Sequence, residues 1–207
     1  MHELVFRVFF RLAAASGSVG QLIAYGIYFG WVHRRPDAWQ YATSADERSK
    51  YARTLEAIGV VPANRVLEAG CCEGVFTEQL LRASLARQVV GVDISSQALS
   101  RARVRCATFT TARFERANLA FDAPSGFFDL IICAETLYYL GPRFADGCLL
   151  MRARLARGGR IVAVHPADRA EALHAPWTRD ASLVRERQER VNDVARPYVI
   201  EVFRLLD

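Results

Sequence analysis

Residues 66–74 read Val-Leu-Glu-Ala-Gly-Cys-Cys-Glu-Gly, and Gly91-Val92-Asp93-Ile94 follow about one strand-and-helix later. The chemistry on offer there is nucleoside binding. An apolar strand carries an acid, Glu68, and ends in a turn of small residues. A helix follows, and a second strand ends in Asp93. Small residues let backbone amides approach a ligand, and the later carboxylate can chelate the two hydroxyls of a ribose. A dinucleotide fingerprint needs G-x-G-x-x-G, but counting from Gly70 meets Cys72 and then Val75. No Gly-Lys-Ser/Thr follows the turn, which excludes a P-loop. Glu135 and His165 end two further apolar runs, so a carboxylate and an imidazole are expected on the same rim.

The elements that position these residues alternate. Strands are expected at 65–69, 89–93, 112–116, 129–133 and 160–165. Helices are expected from Val75 to Ala86, from a Ser95 or Ser96 cap to Arg105, and from Arg143 to Arg157. Gly158-Gly159 read as the stop of that last helix. Ser44-Ala45-Asp46-Glu47 reads as a capping box opening a helix that ends at Gly59. Segments 182–190 and 198–205 are expected to form an antiparallel pair around Ala195-Arg196-Pro197. This pattern specifies an α/β fold: a Rossmann-like doubly wound sheet, mostly parallel, with an antiparallel C-terminal hairpin and added N-terminal helices.

Composition supports one domain with a full core: 207 residues, 52% apolar and 24% charged. The net charge of +5 comes from dispersed arginines with a single lysine, Lys50. With no basic stripe, nucleic acid is not an expected partner. Five cysteines at irregular spacing form neither a disulfide framework nor a zinc set, so no metal is expected and a cytoplasmic location fits. Leu12–Val32 carries no charge. It reads as two helices broken near Ser16–Ser18 that cap the core, meet a second subunit, or touch a membrane through Phe6, Phe9 and Phe10. Residues 1–36 are therefore set apart as a hydrophobic helical extension, with 37–207 as the main domain. His2 and His33 are expected at the surface.

With these elements placed, Glu68-x-Gly70-x-Cys72-x-Gly74 together with Asp93 resembles motif I and its acidic partner in the class I S-adenosylmethionine-dependent methyltransferases. The chain is most similar to the nodulation protein S-like group. That closer match rests on Asp37-x-Trp39-x-Tyr41-x-x-Ser44, Glu47-x-x-Lys50-Tyr51, Phe128-Asp129-Leu130-Ile131, Glu135-x-Leu137-Tyr138-Tyr139-Leu140 and Val164-His165. The resemblance implies S-adenosyl-L-methionine as cofactor. Glu68, Gly70, Cys71, Cys72 and Gly74 would hold its methionine end and Asp93 its ribose. Ile94 would lie against the adenine, with Asn118 and the Leu119 amide reading the adenine edge. Cys133, Ala134 and Glu135 would line the methyl-transfer mouth, and Trp39 and Tyr41 would close over the cofactor.

Two departures from the family pattern are Cys72 for the middle glycine and Asn118 for an aspartate. A third is a short segment between His165 and Ser182. Methyl transfer from a sulfonium is an in-line displacement, so the protein must align the acceptor and keep it unprotonated. His165 is the expected base, Glu135 the expected partner of an amine, and one of Tyr138 and Tyr139 faces the pocket. The implied acceptor is a small molecule methylated on an amine or hydroxyl, such as a sugar amine. Two alternatives stand beside it: a catalytically silent cofactor-binding or partner module, and a membrane-associated methyltransferase of a hydrophobic acceptor.

Overall fold

The computed structural model describes residues 17–206. Among the described residues seven strands form one sheet: β1 (Ala63–Ala69), β2 (Ala86–Asp93), β3 (Ala112–Arg116), β4 (Phe128–Ala134), β5 (Leu155–Pro166), β6 (Leu183–Val191) and β7 (Tyr198–Leu205). Their order is β3-β2-β1-β4-β5-β7-β6, and β7 runs antiparallel to both of its neighbours. The central strand β4 is apolar throughout its buried stretch because both of its faces are covered.

Alternate strand residues feed two cores. Leu67, Val90, Ile131 and Ile161 pack with Met151 of α5 (Phe144–Ala153) and Trp177 of α6 (Ala170–Thr178). Val66, Val89, Leu130 and Val162 pack with Ile58 of α2 (Ala45–Ile58) and Leu80 of α3 (Val75–Arg82). Helix α4 (Ser96–Arg105) starts at Ser95, whose hydroxyl accepts from the Ala98 amide at 3.2 Å. Strand order reverses between β1 and β4, and in open α/β sheets such a reversal leaves a crevice at the carboxyl ends of the strands.

Helix α1 (Gly17–Val32) lies over that crevice. Gln21, Tyr25 and Phe29, followed by His33, recur every four residues on its buried side, while Val19, Ile23, Ile27 and Trp31 repeat at the same spacing 58–69% exposed. Helix α1 opens at Gly17, within the expected break at Ser16–Ser18, while the first of the two expected helices and Phe6, Phe9 and Phe10 lie outside the described residues. No helix among the described residues is long and apolar enough to cross a membrane.

Three local expectations are corrected: first, the helix expected to run from Val75 to Ala86 ends at Arg82, and Ala86 opens β2. The helix before β5 ends at Ala153, and Gly158-Gly159 sit within the strand as a tight turn. Gly158 has φ +65°, a Cβ at Gly159 would lie 2.8 Å from the Ala156 carbonyl oxygen, and the β4–β5 register shifts there. Half of the capping box forms: the Ser44 hydroxyl accepts from the Glu47 amide, but the Glu47 side chain turns to Lys50 instead of returning to the Ser44 amide. Helix α6 fills the short segment after His165. Pro176 falls in its last turn, where it withdraws one i→i−4 amide, and the helix ends two residues later.

Candidate active site

The crevice holds about 1130 Å³ of atom-free space, its open mouth included. At the end of β1 the chain turns through Gly70 (φ +75°), Cys71 and Cys72 (φ +49°). A Cβ at Gly70 would lie 2.2 Å from Thr136 Oγ1, so glycine is required there twice over, by backbone angle and by space. Asp93, at the end of β2, fixes the turn. Its Oδ2 accepts from the Cys72 amide at 3.0 Å and its Oδ1 from the Ser95 amide at 2.8 Å. Each oxygen keeps a lone pair for a ligand hydroxyl. Burial pushes the Asp93 carboxyl up, against those amide bonds and the nearby His33.

Glu68 lies beneath the turn and accepts from the Thr77 hydroxyl. Burial pushes its carboxyl up to about 8; the Thr77 bond opposes this and the charge of Asp93 adds to it. Between the ordinary value of 4.5 and about 8 the folded chain therefore holds a proton that the unfolded chain has released. Glu68 thus contributes stability below that window and withdraws it as pH rises through it. Glu68→Gln, which mimics the protonated acid, is expected to flatten the fall in thermal midpoint between about pH 5 and 8. A wild-type slope in that variant would refute the assignment.

A second wall of the crevice is built around Lys50 of α2. Its ammonium lies 2.9 Å from Glu47 Oε1 and 2.9 Å from Glu135 Oε1. Burial pulls its pKa down, but the charges and hydrogen bonds of Glu135 and Glu47 outweigh burial and leave it raised. Tyr138 donates to the other Glu135 oxygen at 2.9 Å. Glu135 itself is held at φ +53°, an unusual angle for a residue with a Cβ. The buried Glu47 Oε2 has no partner among the described residues.

The structure brings most of the expected residues to one cavity. Glu68, Gly70, Cys71, Cys72, Asp93, Ile94, Asn118, Leu119, Trp39, Tyr41, Glu135 and Tyr139 all line it. Four do not. Gly74 (φ +73°) lies where α3 and α4 pack, with a Cβ there 3.0 Å from that of Ala102. Cys133 points into the core beneath the sheet. The Tyr138 ring packs on that core and sends only its hydroxyl toward the site. His165 is 0% exposed and outside the cavity. Its Nε2 faces the Thr136 and Leu137 amides at 3.3 and 3.2 Å, so it has no lone pair free to act as a base on a substrate.

Sequence reasoning missed the contribution of α1. His33, expected at the surface, is 2% exposed and lies against the turn, its Nε2 3.4 Å from Cys72 Sγ. Its Nδ1 bonds the Phe29 carbonyl at 2.9 Å. Asn118 donates to Gln21 Oε1 at 3.0 Å, and Arg101 joins Glu73 at 2.7 Å to the Arg34 and Arg35 carbonyls. Residues on both sides of position 36 therefore wall the same cavity. Lys50 carried a usable signal: it is the single lysine in an arginine-rich chain.

This sheet order, with β7 reversed and the site at the tips of β1, β2 and β4, is the fold of the class I S-adenosylmethionine-dependent methyltransferases. The model for the Nodulation protein S (NodS) family matches residues 33–150, and the chain belongs to that family. Nodulation protein S of Bradyrhizobium diazoefficiens is 36% identical over 105 residues, 50% of this chain and 49% of that protein. Trans-aconitate 2-methyltransferase of Variovorax paradoxus is 33% identical over 147 residues, 66% of this chain and 56% of the relative. The chain spans about half the length of the curated relatives it matches. The crystal structure of the N-methyltransferase NodS from Bradyrhizobium japonicum WM9, in complex with S-adenosyl-L-homocysteine, superposes with a TM-score of 0.78 at 22% identity. That match covers 84% of this chain and 95% of the other.

Proposed function

We propose that the chain is an S-adenosylmethionine-dependent methyltransferase acting on an amine or hydroxyl of a small molecule. The observation that carries the reading is the meeting, in one crevice, of the Asp93-pinned Gly70–Cys72 turn and the Lys50–Glu135 wall. The residues present fit the cofactor. Asp93 offers two lone pairs to a ribose, and the turn leaves room for close approach. Glu68 faces the place of the methionine end. The bound cofactor supplies an activated methyl group.

The chain's own part is orientation and proton management. Lys50 and Tyr138 clamp Glu135 so that its remaining lone pairs point at an acceptor. With His165 engaged elsewhere, Glu135 is the group on the rim suited to hold an amine and take its proton. Two carboxylates against one ammonium leave this wall with one negative charge in excess, and the unpartnered Glu47 oxygen suits a cationic or hydrogen-bond-donating acceptor. Lys50 is the one Lys or Arg among the described residues lining the cavity, and its charge is already met. An acceptor carboxylate is therefore the poorer fit.

The test is incubation with S-adenosylmethionine and a panel of amines and hydroxyl compounds, followed by mass spectrometry. A gain of one methyl on an amine, with release of the demethylated cofactor, is expected. Cofactor binding with no methylated product from any compound would favour a silent binding module. The exposed stripe on α1, with Arg34 and Arg35 exposed just beyond it, further supports docking onto an anionic membrane surface. Trp31→Ser should then release the full chain from anionic vesicles. A chain that ignores vesicles but self-associates would instead make the stripe an interface between two copies.

A further inference from the structure

His165, displaced from the role of base, heads a buried chain of groups that the reaction does not use. Its Nδ1 lies 2.9 Å from His174 Nε2 on α6. His174 Nδ1 lies 2.6 Å from Glu201 Oε2 on β7, and Arg185 of β6 donates to Glu201 Oε1 at 2.8 Å. His165, His174 and Glu201 are all at least 95% buried, and the Arg185 end reaches solvent.

Hydrogen-bond polarity assigns every proton in the series. Backbone amides only donate, so the Thr136 and Leu137 amides require a lone pair on His165 Nε2. A neutral His165 then carries its proton on Nδ1 and donates it to His174 Nε2. That places the His174 proton on Nδ1, aimed at Glu201. Burial pushes the Glu201 carboxyl up, but the His174 bond and the Arg185 charge outweigh it and leave the acid below its ordinary range, hence an acceptor.

We propose that His174 and Glu201 are positioning residues that lock His165 in its Nδ1–H tautomer, and that this lock holds the Glu135–Leu137 loop between the cofactor and acceptor sides of the crevice. The inference deepens the methyltransferase reading and takes its functional meaning from it. The loop needs an external hold. Glu135 has left-handed backbone, and its amide reaches the Val164 carbonyl at 2.9 Å, leaving the next two amides to His165. Thr136 joins the walls: its hydroxyl bonds the Ala69 carbonyl at 2.8 Å and abuts Gly70. A proton on Nε2 would face two N–H groups, and the loop would lose its anchor.

The groups around the His165 ring all keep it neutral or fix its direction. Burial lowers its pKa well below the ordinary value, and His174 and Lys50 lower it further. The Tyr138 ring meets it edge-on, with centroids 6.1 Å apart.

The test is nitrogen-15 NMR on the full chain, which needs neither cofactor nor acceptor and so can fail separately from the enzymatic reading. We expect His165 neutral and protonated on Nδ1 from about pH 8 to pH 5. We also expect N–N coupling across the hydrogen bonds from the Thr136 and Leu137 amides. His174→Leu should speed exchange of those two amides by about tenfold or more while leaving the β1 amides unchanged. His174→Gln, which restores an acceptor for His165 Nδ1–H, should recover most of the protection. A proton on His165 Nε2, absence of both couplings, or equal exchange in the Leu and Gln variants would overturn the proposal. Should His174→Leu fail to fold, the wild-type tautomer and couplings decide alone.

Discussion

Replacing Asp93 by alanine is expected to weaken binding of S-adenosylmethionine by about 100-fold, measured by titration calorimetry with the methylated cofactor and its demethylated product. The carboxylate has two tasks in the same place. It would accept two ribose hydroxyls, and hydrogen bonds to a charged acceptor contribute about 1.5–3 kcal/mol each. It also holds the Cys72 and Ser95 amides, so its removal frees the turn that must contact the cofactor. Asp93→Asn keeps one neutral oxygen and should fall between alanine and wild type. Affinity in Asp93→Ala within twofold of wild type would remove ribose recognition from this residue.

Gly70→Ala carries the other large effect. The added methyl would lie 2.2 Å from Thr136 Oγ1, 3.0 Å from Cγ2 and 3.1 Å from Cβ, at a backbone φ of +75°. Neither clash nor angle can relax without moving Thr136, which is tied to the Ala69 and Ala134 carbonyls. Both walls of the crevice then shift. Loss of detectable cofactor binding is expected, together with destabilisation of about 2–4 kcal/mol from strain and overpacking. Gly30→Ala is the control: it sits in α1 with nothing within 4 Å of a new Cβ, and helix propensity predicts a gain of up to about 1 kcal/mol. Equal behaviour of the two variants in melting and binding would contradict the packing described for Gly70.

Much of this architecture is legible in the chain because parallel strands buried on both faces are short apolar runs with sharp ends. Residues 112–116 were readable to the residue, and β4 to within one at each end. Local patterns failed where a signal had two meanings. Gly158-Gly159 resemble a helix stop, yet serve a tight turn inside β5. Helix α6 is only nine residues long with Pro176 in it, too short for periodicity to stand out. The site divides in the same way. Glu68, Gly70 and Asp93 belong to one contiguous unit and could be found together. Lys50 and Glu135 are 85 residues apart, and His33 meets Cys72 across 39. Their convergence belongs to tertiary structure. The place of His165 at a strand end suggests a catalytic role, but its ring is buried against the Thr136 and Leu137 amides, a contact that only the fold creates.

The central claim is that the tips of β1 and β2 hold an adenosyl cofactor between a small-residue bend and a carboxylate. A crystal structure grown with S-adenosyl-L-homocysteine tests it most directly. The ribose hydroxyls should lie about 2.6–3.0 Å from the Asp93 oxygens, with the amino-acid end against Gly70–Cys72. An empty crevice at saturating ligand, or a ribose bound away from Asp93, would contradict it.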